Sequence, residues 1–195
     1  MRVDWFYRIC KFIIKPTLML LYGLRTVNKE NIPEKGGCII YANHTSYLDP
    51  VVIGAMLDRP INFMAKEELF HIPVLKSIIK LWGAFPVKRN TADITAIRKA
   101  LNLIKKGELF GIFPEGTRSK DGHIAMLQPG VALIALKANV PVIPVFIEPY
   151  KLFGRTNIYV GEPLDLSQYA KNNDDVNKLE EISDIMYEAL LRLKA

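Results

Sequence analysis

Long apolar runs are missing from this chain. A membrane-spanning helix needs about 20 consecutive apolar residues, and the best stretch, PTLMLLYGL at 16–24, is short and bounded by Lys15 and Arg25. Cysteine is nearly absent too. Cys10 and Cys38 are the only two in 195 residues, which excludes a disulfide framework or a cysteine metal cluster and suits a reducing compartment. The three histidines, His44, His71 and His123, are scattered with no HExxH, so no metal centre is expected. No GxGxxG, Walker loop or GxSxG elbow occurs, which leaves no signature of dinucleotide binding, nucleotide hydrolysis or serine-nucleophile catalysis. Repeats and low-complexity tracts are lacking, and so is a clear secretory cleavage site.

What is present is half hydrophobic and carries a net charge of +6, with a mean hydropathy of +0.12. A basic, slightly apolar chain suits an anionic partner, either nucleic acid or a membrane surface. The first 27 residues point to the second. They mix Trp5, Phe6, Tyr7, Phe12 and Tyr22 with Arg2, Arg8, Lys11, Lys15 and Arg25, the texture of an amphipathic segment lying in a lipid interface. An ordinary first helix packed on the core is the competing reading. Clustered arginines interleaved with aromatics, as nucleic-acid binding would require, do not recur in the body of the chain.

From 28 to 195 short apolar runs alternate with helical patterns. GCIIYA, INFMA, AFPV, LFGIF, VIPVFI and NIYV read as buried strands. Helices are expected at DPVVIGAMLD, with Asp49 as N-cap and Pro50 at its first position, and at NTADITAIRKALNLIKKG from an Asn/Thr cap to Gly107. Further helices are expected at PGVALIALKANV and VNKLEEISDIMYEALLRL, the last with Leu179, Ile182, Met186, Leu190 and Leu193 on one stripe. HIPVLKSIIKLWGAF suggests a surface helix packed on the sheet, or one lying on lipid. The expectation is a single α/β domain with a mostly parallel central sheet flanked by helices, preceded by the interfacial segment 1–27. Ligands of such sheets bind beyond the carboxyl ends of the strands.

Polar motifs fall at those ends. His44, in NHTSYLDP, follows a strand, and Asp49 lies five residues on. Within one helix that offset would separate them by about 140°, so they meet only if His44 precedes the helix and folds back. An imidazole held by a carboxylate is a general base for a hydroxyl nucleophile. FPEGTRS at 113–119 supplies Gly116 for close backbone approach, the Thr117 and Ser119 hydroxyls, and the Arg118 fork for phosphate oxygens. Lys66 and the pair Lys88–Arg89 follow two other apolar runs. Taken singly, each of these features is also met as a plain turn or surface charge; three cationic strand ends together suggest an anion site.

NHTSYLD at 43–49, GAFPVKR at 83–89, FPEGTRS at 113–119 and VPVIPV at 140–145 resemble, in order and spacing, the four motifs of the glycerolipid acyltransferase family, in particular its 1-acyl-glycerol-3-phosphate branch. The resemblance runs from about 20 to 165. It implies an enzyme that moves an acyl group from a coenzyme A or acyl carrier protein thioester to the free hydroxyl of lysophosphatidic acid, giving phosphatidic acid for phospholipid synthesis. His44 would be the base and Asp49 its orienting carboxylate, without cofactor or metal. Lys66, Arg89, Gly116, Thr117 and Arg118 would hold the phosphate. Glu115 belongs to the same substrate loop and would shape it, since a carboxylate repels phosphate, and Pro144 would line an acyl channel. Lys88 is a second cation where relatives often carry a polar or acidic residue, so either it or Arg89 could reach the ligand. Glycerol 3-phosphate or another lysophospholipid remains open as acceptor, and so does a non-catalytic lipid-binding module, though His44, Asp49 and the Gly-Thr-Arg triplet are intact. The expected location is the cytoplasmic face of the membrane, held peripherally by anionic lipid.

Overall fold

The computed structural model describes residues 4–88, 93–119, 123–169 and 176–194. Strands β1 (Leu24–Val27), β2 (Cys38–Ala42), β3 (Ile61–Lys66), β4 (Phe85–Val87), β5 (Leu109–Ile112), β6 (Val142–Ile147) and β7 (Thr156–Val160) form a seven-stranded sheet in the order β1-β7-β6-β2-β5-β3-β4. Adjacent pairs are parallel except β6 with β7. Helices α1 (Asp4–Tyr22), α2 (Asp49–Met56), α3 (Pro73–Leu81), α4 (Ile94–Lys105), α5 (Pro129–Ala138) and α6 (Val176–Lys194) accompany it. The α/β architecture with a mostly parallel sheet is as expected.

Every residue of β2 is buried, because helices cover both faces of the central strands. Ile39, Tyr41, Phe110, Val142 and Phe146 face α4, α5 and α6. Cys38, Ile40, Leu109, Ile143 and Val145 face α2 and the inner side of α1. On α6 the predicted stripe is the buried one, with Ile182, Met186 and Leu190 fully covered. Gly111 lies under the Phe63 ring, where a Cβ would come within 2.4 Å of it.

Several local expectations change. Residues 24–27, grouped with the interfacial segment from the sequence, form β1 and pair with β7, since Gly23 at φ 56 ends α1 and turns the chain into the sheet. Asp49 does not cap α2. The helix already starts at Asp49, and the carboxylate turns back into the preceding loop. The cap of α4 is Asp93, whose Oδ1 accepts from Ala96 N at 3.0 Å and whose Oδ2 accepts from Lys88 N at 3.0 Å. Asn90 and Thr91, the expected cap, lie outside the described residues. Helix α3 buries none of its residues, so it lies over the surface instead of packing closely on the sheet.

Helix α1 has two apolar faces. Inward, Tyr7 is buried, donates its hydroxyl hydrogen to Gly54 O at 2.7 Å and packs 4.8 Å from Trp82, while Lys11 donates to Leu57 O. Outward, Phe12 is 82% and Leu20 is 78% exposed. Among the described residues no helix is long and apolar enough to cross a membrane.

Candidate active site

Strands β2, β5, β3 and β4 stand side by side and parallel, so their carboxyl ends form a row. His44 follows β2, the loop 113–119 follows β5, Lys66 ends β3, and Lys88 follows β4. Four sites far apart in sequence therefore share one edge of the sheet.

His44 does fold back. Its Nδ1 is 2.8 Å from Asp49 Oδ2, and the same oxygen accepts from Thr45 N and Ser46 N at 2.8 Å each. Asp49 Oδ1 accepts from the Tyr150 hydroxyl at 2.8 Å. The carboxylate is fully buried, the His44 side chain 13% exposed. Four donors thus surround the buried carboxylate and fix its orientation. With Nδ1–H given to Asp49, Nε2 is the ring nitrogen able to take a proton.

The ring also stacks on Phe113, 4.2 Å between centroids, and Phe113 in turn on Phe63 at 5.5 Å. Beneath it the side chain of Asn43 replaces a missing piece of strand ladder: its amide donates to Ile147 O at 3.0 Å and its carbonyl accepts from Ile147 N at 2.8 Å. Neither Tyr150, Phe113 nor Asn43 was singled out from the sequence. Their one common signal is position, each within a few residues of a strand's carboxyl end.

Glu115 is buried and turned inward. Oε1 accepts from His44 N at 2.8 Å and Oε2 from Ala125 N at 3.1 Å. Burial pushes its carboxyl above the usual range, and the two N–H donors oppose that. His44 O accepts from Ser119 N at 2.8 Å, so the backbone of His44 is tied to the loop at both its N–H and its carbonyl. Gly116, at φ 70, lets the loop turn against Gln128, whose Cγ would sit 3.3 Å from a Cβ. Arg118 lies over the exposed ring of Tyr47, 3.5 Å from guanidinium carbon to centroid. Thr117 is exposed beside it. Lys66 makes an exposed 2.9 Å ion pair with Glu68, an interaction of about 0–1 kcal/mol that a phosphate could replace. Arg89 lies outside the described residues. Pro144 is buried within β6, where its Cγ would be 2.6 Å from a Cβ on Gly161.

Backbone N–H groups around His44 and in the loop 113–119 are partly spoken for. Those of Thr45 and Ser46 serve Asp49, and those of Gly116 and Ser119 serve Phe113 O and His44 O.

A buried carboxylate, an imidazole aimed by it and a cationic glycine loop on the same sheet edge form an arrangement suited to acyl transfer. The family model described as Acyltransferase matches residues 23–148, which contain all of these groups except Tyr150. The chain belongs to the acyltransferase family.

Named relatives agree. The 1-acyl-sn-glycerol-3-phosphate acyltransferase of Bacillus subtilis is 33% identical over 171 residues, covering 84% of this chain and 85% of the relative. The enzyme of that name from Borreliella burgdorferi is 30% identical over 165 residues, 83% of this chain and 66% of its own. The crystal structure of the 1-acyl-sn-glycerophosphate (LPA) acyltransferase PlsC from Thermotoga maritima superposes with a TM-score of 0.70 at 28% identity, covering 100% of this chain and 84% of that one. This acyltransferase is therefore an O-acyltransferase in fold and family.

Proposed function

We infer that this acyltransferase moves an acyl group from a phosphopantetheine thioester, carried by coenzyme A or acyl carrier protein, to the free glycerol hydroxyl of lysophosphatidic acid. The 2.8 Å contact between His44 Nδ1 and Asp49 Oδ2 carries this reading. Nε2 takes the hydroxyl proton as the oxygen attacks the thioester carbonyl. The tetrahedral adduct collapses with cleavage of the C–S bond. The departing thiolate, of ordinary pKa about 8.5, recovers the proton from the His44 imidazolium. Asp49 holds the ring in the tautomer that makes this possible and stabilises the imidazolium. No resident cofactor or metal enters these steps.

Lys66, Gly116, Thr117 and Arg118, with Arg89 or Lys88, hold the acceptor's phosphate in this reading. Glu115 acts on the loop's shape, since both its oxygens face backbone N–H groups. Peripheral membrane attachment is supported by the outward apolar face of α1 together with Arg8 and Lys15 on the same helix, and the cytoplasmic leaflet is proposed because the thioester donors are found on that side.

The test is acyl transfer in mixed micelles from an acyl-CoA and from an acyl carrier protein thioester, offered lysophosphatidic acid, glycerol 3-phosphate and lysophosphatidylcholine, with His44→Ala alongside. Phosphatidic acid from lysophosphatidic acid alone, lost in the variant, is expected. Equal use of the other acceptors overturns the substrate assignment. Full activity of His44→Ala overturns the mechanism.

A further inference from the structure

The turn between β6 and β7 presents Lys151, Leu152, Phe153, Gly154 and Arg155 at the carboxyl edge of β6, the edge that carries His44. Leu152 is 62% and Phe153 77% exposed, with a cation on either side. Phe153 sits at φ 54, a backbone region that non-glycine residues seldom adopt. The turn is nevertheless firmly held. Phe153 N donates to Leu21 O at 2.6 Å, Gly154 N to Lys151 O at 3.0 Å, and Lys151 N to Thr156 Oγ1 at 3.2 Å. Gly154 O approaches α1's end so closely that a Cβ on Gly23 would lie 2.1 Å from it. At the base of the turn the Tyr150 ring packs 5.4 Å from Tyr22 while its hydroxyl reaches Asp49.

A fixed backbone that points two large apolar side chains at solvent between two cations matches an anionic lipid surface: apolar tips below the headgroups, cations among them. Other exposed apolar residues leave the same edge, namely Leu20 beside the turn, Tyr47 after β2, Ile72 after β3 and Met126 after β5. We propose that the Lys151–Arg155 turn is a second lipid-contacting element, docked with the end of α1, which sets the dyad-bearing edge of the sheet against the bilayer. The inference rests on the membrane attachment described above and assigns it to a segment outside the N-terminal helix.

The test compares the full chain with a Leu152→Ser/Phe153→Asn variant for co-sedimentation with vesicles of equal parts phosphatidylcholine and phosphatidylglycerol. Asparagine tolerates the left-handed backbone at 153. The expected result is a partition coefficient at least about tenfold lower, about 1.4 kcal/mol, with transfer to a monomeric short-chain lysophosphatidic acid within about twofold of wild type. In parallel, Leu152→Trp is expected to gain a blue shift and quenching by bromolipid beyond that of the unmodified chain. Unchanged partition of the double variant, with no added quenching of Leu152→Trp, overturns the role of the turn and leaves attachment through α1 standing. Failure of the wild type itself to bind vesicles overturns both. Dimerisation of the wild type that the double variant abolishes assigns the turn to a second copy of the chain and overturns the lipid proposal.

Discussion

The Tyr150 hydroxyl donates a 2.8 Å hydrogen bond to Asp49 Oδ1 across 101 residues of sequence. It completes a set of donors that leaves neither oxygen of that fully buried carboxylate unpaired. Burial and the neighbouring Asp49 charge both hold the phenol above its ordinary range, so it stays a donor. Tyr150→Phe is expected to lower kcat about tenfold or more, as loss of an outer partner of a catalytic group commonly does, with the acceptor KM little changed. Steady-state kinetics beside a thermal melt check this; an unchanged kcat would show that Asp49 holds its place without the phenol.

Asp49→Asn keeps the shape but turns one acceptor into an amide donor among groups that already donate. By analogy with orienting carboxylates in other hydroxyl-activating dyads, kcat should fall by about three to four orders of magnitude. Circular dichroism must show a folded protein for the loss to be read as chemical. Retention of more than a tenth of the activity would count against the dyad.

Glu115→Gln should destabilise the fold at pH 7 by about 1–3 kcal/mol, because the amide can accept from only one of His44 N and Ala125 N and sets a donor against the other. The pH dependence has a definite sign. Because the folded carboxyl titrates above its ordinary value, the folded state holds the extra proton, and Glu115 favours folding less as pH rises from that ordinary value through the raised one. The stability gap between wild type and Glu115→Gln should shrink across that window in denaturant titrations; a gap that widens would reverse the assignment.

Gly111→Ala should cost about 1–3 kcal/mol by overpacking, since its methyl meets the Phe63 ring at 2.4 Å. Phe63 stacks on Phe113 and Phe113 on His44, so the strain should reach the base and lower kcat as well. Chemical denaturation and kinetics on the same preparation separate the two effects; a stability loss with full kcat would confine the damage to the core.

Much of this fold was legible because its central strands are covered on both faces, which writes them as unbroken apolar runs such as CIIYA and VIPVFI. β1 was not, because Leu24–Val27 is short, carries Arg25 and follows directly on an apolar helix. The His44–Asp49 pairing was permitted by the spacing and the Asn/Thr/Ser-rich turn and singled out by the resemblance to the acyltransferase motifs. Tyr150 was not, because what brings it to Asp49 is the neighbouring placement of β6 and β2, and nothing in EPY announces that adjacency. Arg118's perch on Tyr47 likewise depends on two loops meeting. Asp93 caps α4 because its two oxygens satisfy donors on both sides of the junction, Lys88 N and Ala96 N.

His44 gives its N–H to Glu115 and takes the N–H of Ser119 at its carbonyl, so His44 and the glycine loop are fastened to each other at two points. In the proposed reaction, an acceptor phosphate that seats the loop would thereby set the height of the imidazole over the hydroxyl. Discrimination against alcohols without a phosphate would then be exercised through alignment at the moment of attack, in turnover more than in occupancy. In the proposed reaction the same two bonds would couple departure of the product's phosphate from the loop to the placement of the imidazole.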